Sequence, residues 1–182
     1  MNQLRVIVSS TRPGRIGPKV ADWVADQARA TGDWEVEILD LTDLPFMDEE
    51  DMPRNGNYAK PHTQKWASQV FESDAIVVVT PQYNRSFPAP IKNAVDYLFA
   101  EWDSKPIAIV SYGWTGGSDA AADLTKVLGH VKADVVGSTG LVFATDLTPE
   151  GALTPTDPRG AELSGLLDTL SSRIGDRETA TA

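Results

Sequence analysis

The chain has 182 residues, 41% of them hydrophobic and 23% charged, which is the size and composition of one globular domain. The absence of cysteine excludes a disulfide framework, a thiol nucleophile and a cysteine-ligated metal centre. A net charge of −10 argues against a nucleic-acid partner, and the longest apolar run, Ala75 to Val79, is too short to cross a membrane. With no signal-peptide pattern at its start, the chain is expected in the cytoplasm.

Strand and helix patterns alternate in the first half of the chain. Leu4 to Val8 has the pattern of a strand, and from Gly17 apolar residues recur with helical spacing until Gly32 ends that helix. Glu35 to Leu39 alternates as a strand near the edge of a sheet. The segment from Thr42 to Pro61 is irregular and rich in proline, glycine and acid, so we expect a functional or mobile loop.

The same alternation continues to the end of the chain. Ala75 to Thr80 is a β-branched run typical of a central parallel strand, and Pro106 to Ser111 is a further strand. Asp134 to Val136 and Gly140 to Phe143 look like an interrupted fifth strand. The four later helices are marked by Thr63, Trp66, Ala67, Val70 and Phe71; by Ile91, Ala94, Val95, Leu98 and Phe99, after a start at Pro90; by Leu124, Val127, Leu128 and Val131; and by Leu163, Leu166, Leu167, Leu170 and Ile174.

Five strand–helix pairs in this order predict one α/β domain over residues 1–175, a doubly wound five-stranded parallel sheet with helices on both faces. Residues 176–182 are predicted to be a disordered tail. In such a sheet, ligands sit on the loops at the carboxyl ends of the strands. Three of these loops therefore matter most for function.

The first loop, Ser9 to Gly17, has the composition of a phosphate site. It combines hydroxyls, arginines and glycines before a helix N-terminus: Ser9, Ser10, Thr11, Arg12, Gly14, Arg15 and Gly17. Residues 1–21 carry four basic side chains and no acid. The loop matches neither the dinucleotide fingerprint nor the triphosphate loop, which favours a monophosphate. An ordinary turn on a solvated face is the alternative interpretation.

The second loop, Thr80 to Pro88, follows the most apolar strand. Tyr83 offers a ring face, and Gln82 and Asn84 offer amides for the edge of a planar ring. The alternative is a proline-rich turn in which Tyr83 merely packs. With the first loop, this segment predicts a site for flavin mononucleotide (FMN).

The third loop, Ser111 to Ser118, contains three glycines that free backbone N–H groups to donate to a carbonyl or an anionic ring nitrogen. The alternative is a strand-to-helix turn in which Ser118 or Asp119 caps the next helix. The pattern around Ser118 does not fit a nucleophile elbow.

No side chain is predicted to act as a catalytic group or a metal ligand. His62 and His130 are the only histidines, and their contexts do not support a catalytic triad. The acidic run from Asp48 to Asp51 lacks the glycine and the spacing of a calcium loop, so a solvated turn is the preferred interpretation.

The three loops resemble the NADPH-dependent FMN reductase family, which includes flavodoxin-like quinone and azo-dye reductases. Thr80 to Asn84 (TPQYN) followed by Pro90 to Leu98 (PIKNAVDYL) is similar to the family signature P-x-Y-N…P…K-N-A-[IV]-D. The resemblance covers roughly Arg5 to Phe143. It implies a flavodoxin-like sheet of order 2-1-3-4-5.

The resemblance also implies roles for individual residues. The FMN phosphate would be held by Ser9, Thr11, Arg12, Arg15, Ile16 and Gly17. The ribityl chain and ring would be lined by Pro81, Gln82, Tyr83, Asn84 and Ser86, and contacted from the far side by Ser111, Gly113 and Gly116. Tyr83 and Trp114 are predicted to stack against nicotinamide and acceptor. Many relatives carry glutamate where this chain has Gln82, and they often use it in contacts between subunits or near the flavin.

We therefore expect an enzyme that passes hydride from NADPH or NADH through bound FMN to a quinone, a free flavin or an azo compound. The alternatives are a flavodoxin-like electron carrier without NAD(P)H turnover and a non-catalytic homologue that has lost FMN. The resemblance further implies a homodimer or homotetramer. Trp66, Trp102 and Trp114 fit an oligomer and fit core packing equally well. No nucleic-acid or membrane partner is expected.

Overall fold

The computed structural model describes residues 1–181, with side chains described for residues 1–175. The strands are β1 (Asn2–Val8), β2 (Trp34–Asp40), β3 (Ala75–Pro81), β4 (Pro106–Gly113) and β5 (Asp134–Val142). The α-helices are α1 (Gly17–Thr31), α2 (Pro61–Phe71), α3 (Ala89–Asp96), α4 (Ser118–His130) and α5 (Asp157–Thr181). The tail that the sequence predicts to be disordered, 176–182, lies outside the residues with described side chains and stays a prediction.

The five strands form one parallel sheet in the order β2-β1-β3-β4-β5, which confirms the predicted topology. Every residue of β3 and β4 is buried, because helices cover both faces of these central strands. In β2 the burial alternates, with Glu35 and Glu37 exposed, as expected for an edge strand. Charged side chains on this edge discourage pairing with other strands.

Side chains of the strands divide between two cores, one on each face of the sheet. Val6, Val77 and Val110 point to the face that α1 and α5 cover. Ile7 and Val78 point to the opposite face, which α2, α3 and α4 cover. The period of two along each strand therefore produces a doubly wound fold. Within the described part of the chain, none of the helices has the length and apolar character needed to span a membrane.

Helix boundaries agree with the sequence at some positions and differ at others. Helix α1 ends at Gly32, whose φ of 81° lies in the left-handed region that glycine tolerates. Phe71, one of the residues that mark α2 in the sequence, is the last residue of that helix and is 74% exposed. Helix α3 ends at Asp96, so Leu98 and Phe99 lie beyond it, although Leu98 is still buried.

The fifth strand is continuous, so the predicted interruption is wrong. Ile107 pairs with Val135 and the next residue, Ala108, pairs with Gly137, which leaves Val136 as a bulge. Gly137 follows with a φ of 152°. A glycine and a bulge resemble a chain break in sequence, yet they locally bend a strand without ending it.

The segment from Thr42 to Pro61 is held in place by side chains. Tyr97 donates a hydrogen bond to the Phe46 carbonyl (3.0 Å), and Glu49 accepts from the N–H groups of Ala59 and Lys60. Short 3-10 turns at Leu41–Asp43 and Pro53–Asn55 interrupt the irregular chain. The acidic residues of this segment therefore act as acceptors that organise the loop.

Candidate functional site

The three loops meet at the carboxyl edge of β1, β3 and β4. The Ser9 N–H donates to the Val79 carbonyl at 3.0 Å, which ties the first loop to β3. The Gln82 N–H donates to the Tyr112 carbonyl at 3.0 Å, which ties the second loop to the third. The Tyr112 hydroxyl lies only 3.2 Å from where a Cβ on Gly17 would stand. The structure thus brings the three predicted segments together in one site.

The first loop contains buried donors without partners. Ser9 Oγ and Arg15 Nε are buried and make no hydrogen bond within the described residues. Helix α1 begins directly after this loop, with no capping side chain at Ile16 and no acid in its first turn. Buried donors are normally paired, and free N–H groups at a helix start attract anions. These residues therefore fit a phosphate group.

Arg15 is the arginine of the first loop that the structure holds in place. Its NH2 lies 2.5 Å from Asp40 Oδ2, at the end of β2, while its Nε remains free. Burial would raise the pKa of Asp40, but hydrogen bonds from Thr42 and the Arg15 guanidinium outweigh it and hold that pKa below its usual value. Arg12, in contrast, is exposed and donates to the Pro13 carbonyl at 3.2 Å.

Close packing explains the glycine at the start of α1. A Cβ on Gly17 would lie 2.7 Å from Ser10 Oγ and 3.0 Å from Val8 Cγ1, so a larger residue would displace the first loop. Burial raises the pKa of the neighbouring Tyr112 to about 12, so this phenol is neutral at pH 7. The side chain of Ile16 is buried in the core, which leaves its backbone for any contact with a ligand.

The second loop folds into a two-residue hairpin. Tyr83 and Ser86 exchange backbone hydrogen bonds of 2.8 and 3.0 Å, and Asn84 and Arg85 form the tip with φ values of 48° and 67°. Pro81 is buried at the end of β3, whereas Asn84 is exposed. Positive φ at both tip positions is typical of a type I′ turn, which usually contains glycine. The sequence of this tip gave no such signal.

Side chains of α4 hold this hairpin. Gln82 Oε1 accepts the Asp119 N–H at 3.1 Å, and Arg85 pairs with Asp119 at 3.2 Å. Ser86 donates to Asp123 Oδ2 at 2.7 Å. The alternative interpretation, in which Ser118 or Asp119 caps the next helix, is wrong, because no side chain caps α4 at Gly117. The N–H of Asp119 donates to the amide of Gln82 instead.

The third loop is compact. The Ser111 hydroxyl donates to the Gly116 carbonyl at 2.7 Å, so this side chain ties the loop together and does not point out of it. Gly116 and Gly117 have φ values of 67° and 73°, and Gly116 packs against Gly140 of β5. A Cβ on Gly113 would lie 3.6 Å from the Cβ of Gln82 in the second loop. Small residues let these backbones approach one another.

An aromatic side chain lies open at the end of the third loop. Trp114 is 70% exposed and packs edge-to-face on Phe143, with ring centroids 5.3 Å apart. Phe143 in turn packs edge-to-face on Tyr112, with ring centroids 6.5 Å apart. Sequence reasoning did not identify Phe143, Asp40 or Gly140 at the site, because each belongs to a segment distant in sequence and has no local motif.

One of the two histidines pairs with an acid of the segment from Thr42 to Pro61. His62 lies on α2, and its Nε2 is 2.8 Å from Asp48 Oδ1. The same nitrogen lies near the hydroxyl of Tyr97, which also donates to the Phe46 carbonyl. In residues 1–175, no three His, Cys, Asp or Glu side chains are grouped so that they would hold a metal ion.

A parallel sheet of order 2-1-3-4-5, with helices on both faces and polar loops after β1, β3 and β4, defines a flavodoxin-like fold. The NADPH-dependent FMN reductase family model matches residues 3–147. The chain therefore belongs to this family, and it is an NAD(P)H oxidoreductase with FMN as its cofactor. The predicted cofactor and enzyme class are confirmed over the carrier and non-catalytic alternatives.

Individual proteins show the same similarity. An NAD(P)H-dependent FMN reductase of Schizosaccharomyces pombe is 39% identical over 84% of this chain and 79% of that protein. A quinone reductase of Pseudomonas putida is 35% identical over 63% of each chain. In structure, the chain is similar to FerB, an NAD(P)H:(acceptor) oxidoreductase of Paracoccus denitrificans, with a TM-score of 0.73, 26% identity, and coverage of 97% and 98% of the two chains.

Proposed function

We propose that this enzyme reduces quinones with electrons from NAD(P)H. The bound flavin supplies the hydride chemistry by accepting and donating hydride at its ring. The residues of this chain bind and orient it. In this proposal the phosphate is held by Ser9, Thr11, Arg12, Arg15, Ile16 and Gly17; the ribityl chain and ring are lined by Pro81, Gln82, Tyr83, Asn84 and Ser86; and Ser111, Gly113 and Gly116 lie on the far side.

The exposed ring of Trp114 is the observation that carries the choice of acceptor. An aromatic side chain that is 70% exposed beside a flavin site offers a face on which a planar molecule can stack. Phe143 supports this ring from its edge. Tyr83, half-buried on the second loop, is the proposed opposite wall. The name of the quinone reductase relative supports a quinone as the planar acceptor.

The first experiment is anaerobic reduction of the purified, FMN-loaded protein by NADPH, followed by acceptor addition. Bleaching of the flavin absorption and its recovery on adding 1,4-benzoquinone would support the proposal. Free riboflavin and the azo dye methyl red, tested at equal concentrations, distinguish the other two acceptor classes. A kcat/KM for either that exceeds the quinone value would contradict the choice of quinone.

Replacing Trp114→Ala tests the stacking role. Loss of a stacked ring contact worth about 1 kcal/mol should raise KM for benzoquinone roughly five-fold, with little change in FMN affinity. The matched control is Phe71→Ala, which removes a similarly exposed aromatic side chain at the far end of α2. If Trp114→Ala leaves the constants for quinone and NADPH unchanged, Trp114 is not a stacking residue.

Assembly and location stay predictions. Trp66 and Trp102 are buried and pack edge-to-face at 6.1 Å, so core packing accounts for them. Phe46 and Met52, in contrast, are exposed on the long loop and support the proposed homodimer or homotetramer. Light scattering of the purified protein measures this state. The cytoplasmic location rests on the sequence alone.

A further inference from the structure

Two acids of helix α4, one turn apart, face the second loop. Asp119 Oδ2 lies 3.2 Å from Arg85 NH2, and Asp123 Oδ2 accepts the Ser86 hydroxyl at 2.7 Å. Gln82 approaches Asp119 twice: Oε1 accepts its N–H at 3.1 Å, and Nε2 lies 3.4 Å from its carboxylate. The second loop is therefore fastened to α4 at three positions, Gln82, Arg85 and Ser86.

The hairpin needs such support. Asn84 and Arg85 both have positive φ, a conformation that asparagine tolerates but that is unfavourable for arginine. Only the two backbone hydrogen bonds between Tyr83 and Ser86 close the turn. An isolated two-stranded turn is at best marginally stable in water. Contacts from outside must therefore fix the conformation that presents Tyr83 and Asn84.

We propose that Gln82 is a positioning residue that fixes the hairpin against α4 before FMN binds. This inference rests on the proposed placement of the flavin against the second loop. The amide is the side chain that the geometry requires, because one end accepts a helix N–H while the other faces a carboxylate. A carboxylate at position 82 would still accept the N–H of Asp119, but it would place two negative charges about 3.4 Å apart.

A charge-rescue experiment tests this role. Gln82→Glu should weaken FMN binding about ten-fold, because repulsion from Asp119 moves the hairpin. Asp119→Asn alone should change the Kd for FMN less than about three-fold, since the backbone N–H of residue 119 still donates to Gln82. The double variant Gln82→Glu/Asp119→Asn restores a carboxylate facing an amide, with the two roles exchanged. Its Kd should return to within about three-fold of the wild type.

The control separates a local contact from a general effect of charge. Asp26→Asn removes an exposed acid that pairs with Arg29 on α1, away from the hairpin. In the Gln82→Glu background it restores the same net charge, but it should not restore FMN affinity. The apo-protein melting temperatures of all variants should match, because the hairpin lies outside both cores. A purely structural role would lower affinity and melting temperature together.

Flavin fluorescence quenching gives each Kd. The inference is overturned if Gln82→Glu binds FMN like the wild type, if Asp119→Asn fails to rescue it, or if Asp26→Asn rescues it equally well. A wild-type protein that binds FMN only through segments other than the second loop would instead contradict the proposed site. That outcome appears when Tyr83→Ala and Asn84→Ala both leave the wild-type Kd unchanged.

Discussion

Arg15 and Arg12 lie three residues apart in the first loop, but their side chains differ in burial and in partners. The side chain of Arg15 is 19% exposed and its Nε is an unpaired buried donor, whereas Arg12 is exposed. A charge-assisted hydrogen bond contributes about 2 kcal/mol, so Arg15→Ala should weaken FMN binding roughly thirty-fold. Arg12→Ala should have a smaller effect.

Riboflavin, which lacks the phosphate, provides the control. Its Kd, measured by fluorescence quenching, should be the same for the wild type and for Arg15→Ala. Asp40→Asn removes the partner of Arg15 while keeping the cation, and it should not weaken FMN binding. If Arg15→Ala weakened the binding of FMN and of riboflavin equally, Arg15 would act on the fold of the loop and not on the phosphate.

The types of residue at the site were predictable from sequence, but their partners were not. Hydroxyls, arginines and glycines before a helix predict an anion site on local chemistry alone. Asp40 reaches Arg15 from the end of another strand, and Gln82 reaches Asp119 across 37 residues. Such pairs follow from the order of strands in the sheet, which no short pattern encodes.

The connection from β5 to α5 depends on a buried acid, Asp146. It is 1% exposed and accepts hydrogen bonds from the Val142 N–H and from the N–H and hydroxyl of Thr156, beside Arg159. Asp146→Ala would leave these donors unpaired and would remove an acid partner of Arg159, which also pairs with Glu162. It should lower the free energy of unfolding by about 3 kcal/mol. Urea denaturation measures this loss of stability. The control is Asp168→Ala, which removes an exposed acid of α5 and should leave the free energy of unfolding almost unchanged.

The same residue predicts a dependence on pH. Burial would raise the pKa of Asp146, but the hydrogen bonds from Val142 and Thr156 and the charge of Arg159 outweigh it, so the folded pKa is lowered. The stabilising contribution is therefore complete above the unfolded pKa of about 3.9 and is lost as the pH falls through the folded value. Between pH 5 and 3, the wild type should lose more stability than Asp146→Ala. Parallel losses would contradict this account.

Elements with strong periodicity were predicted well, and elements defined by tertiary contacts were not. The buried strands β3 and β4 were predicted correctly. Their runs of β-branched and other apolar residues are typical of a strand that helices cover on both faces. The bulge at Val136 was mistaken for a break in the strand, since a bulge depends on the register with β4.

The site is formed by loops that extend from the three most central strands, so ligand binding and folding of the whole domain are linked. The first, second and third loops leave β1, β3 and β4, whose side chains contribute to both cores. A ligand that binds only the folded state stabilises it by about 2.7 kcal/mol at one hundred times its Kd. For a chain of this length, FMN should therefore raise the melting temperature by roughly 5–11 °C.

Calorimetry with and without FMN also tests the proposal that residues 1–175 form one domain. A single transition should move as a whole, because both cores share the same five strands and cannot unfold separately. Arg15→Ala at the same FMN concentration should show a smaller shift, since its Kd is higher and fewer molecules are bound. Two separate transitions, of which FMN moves only one, would divide the chain into independent units and place the site in one of them.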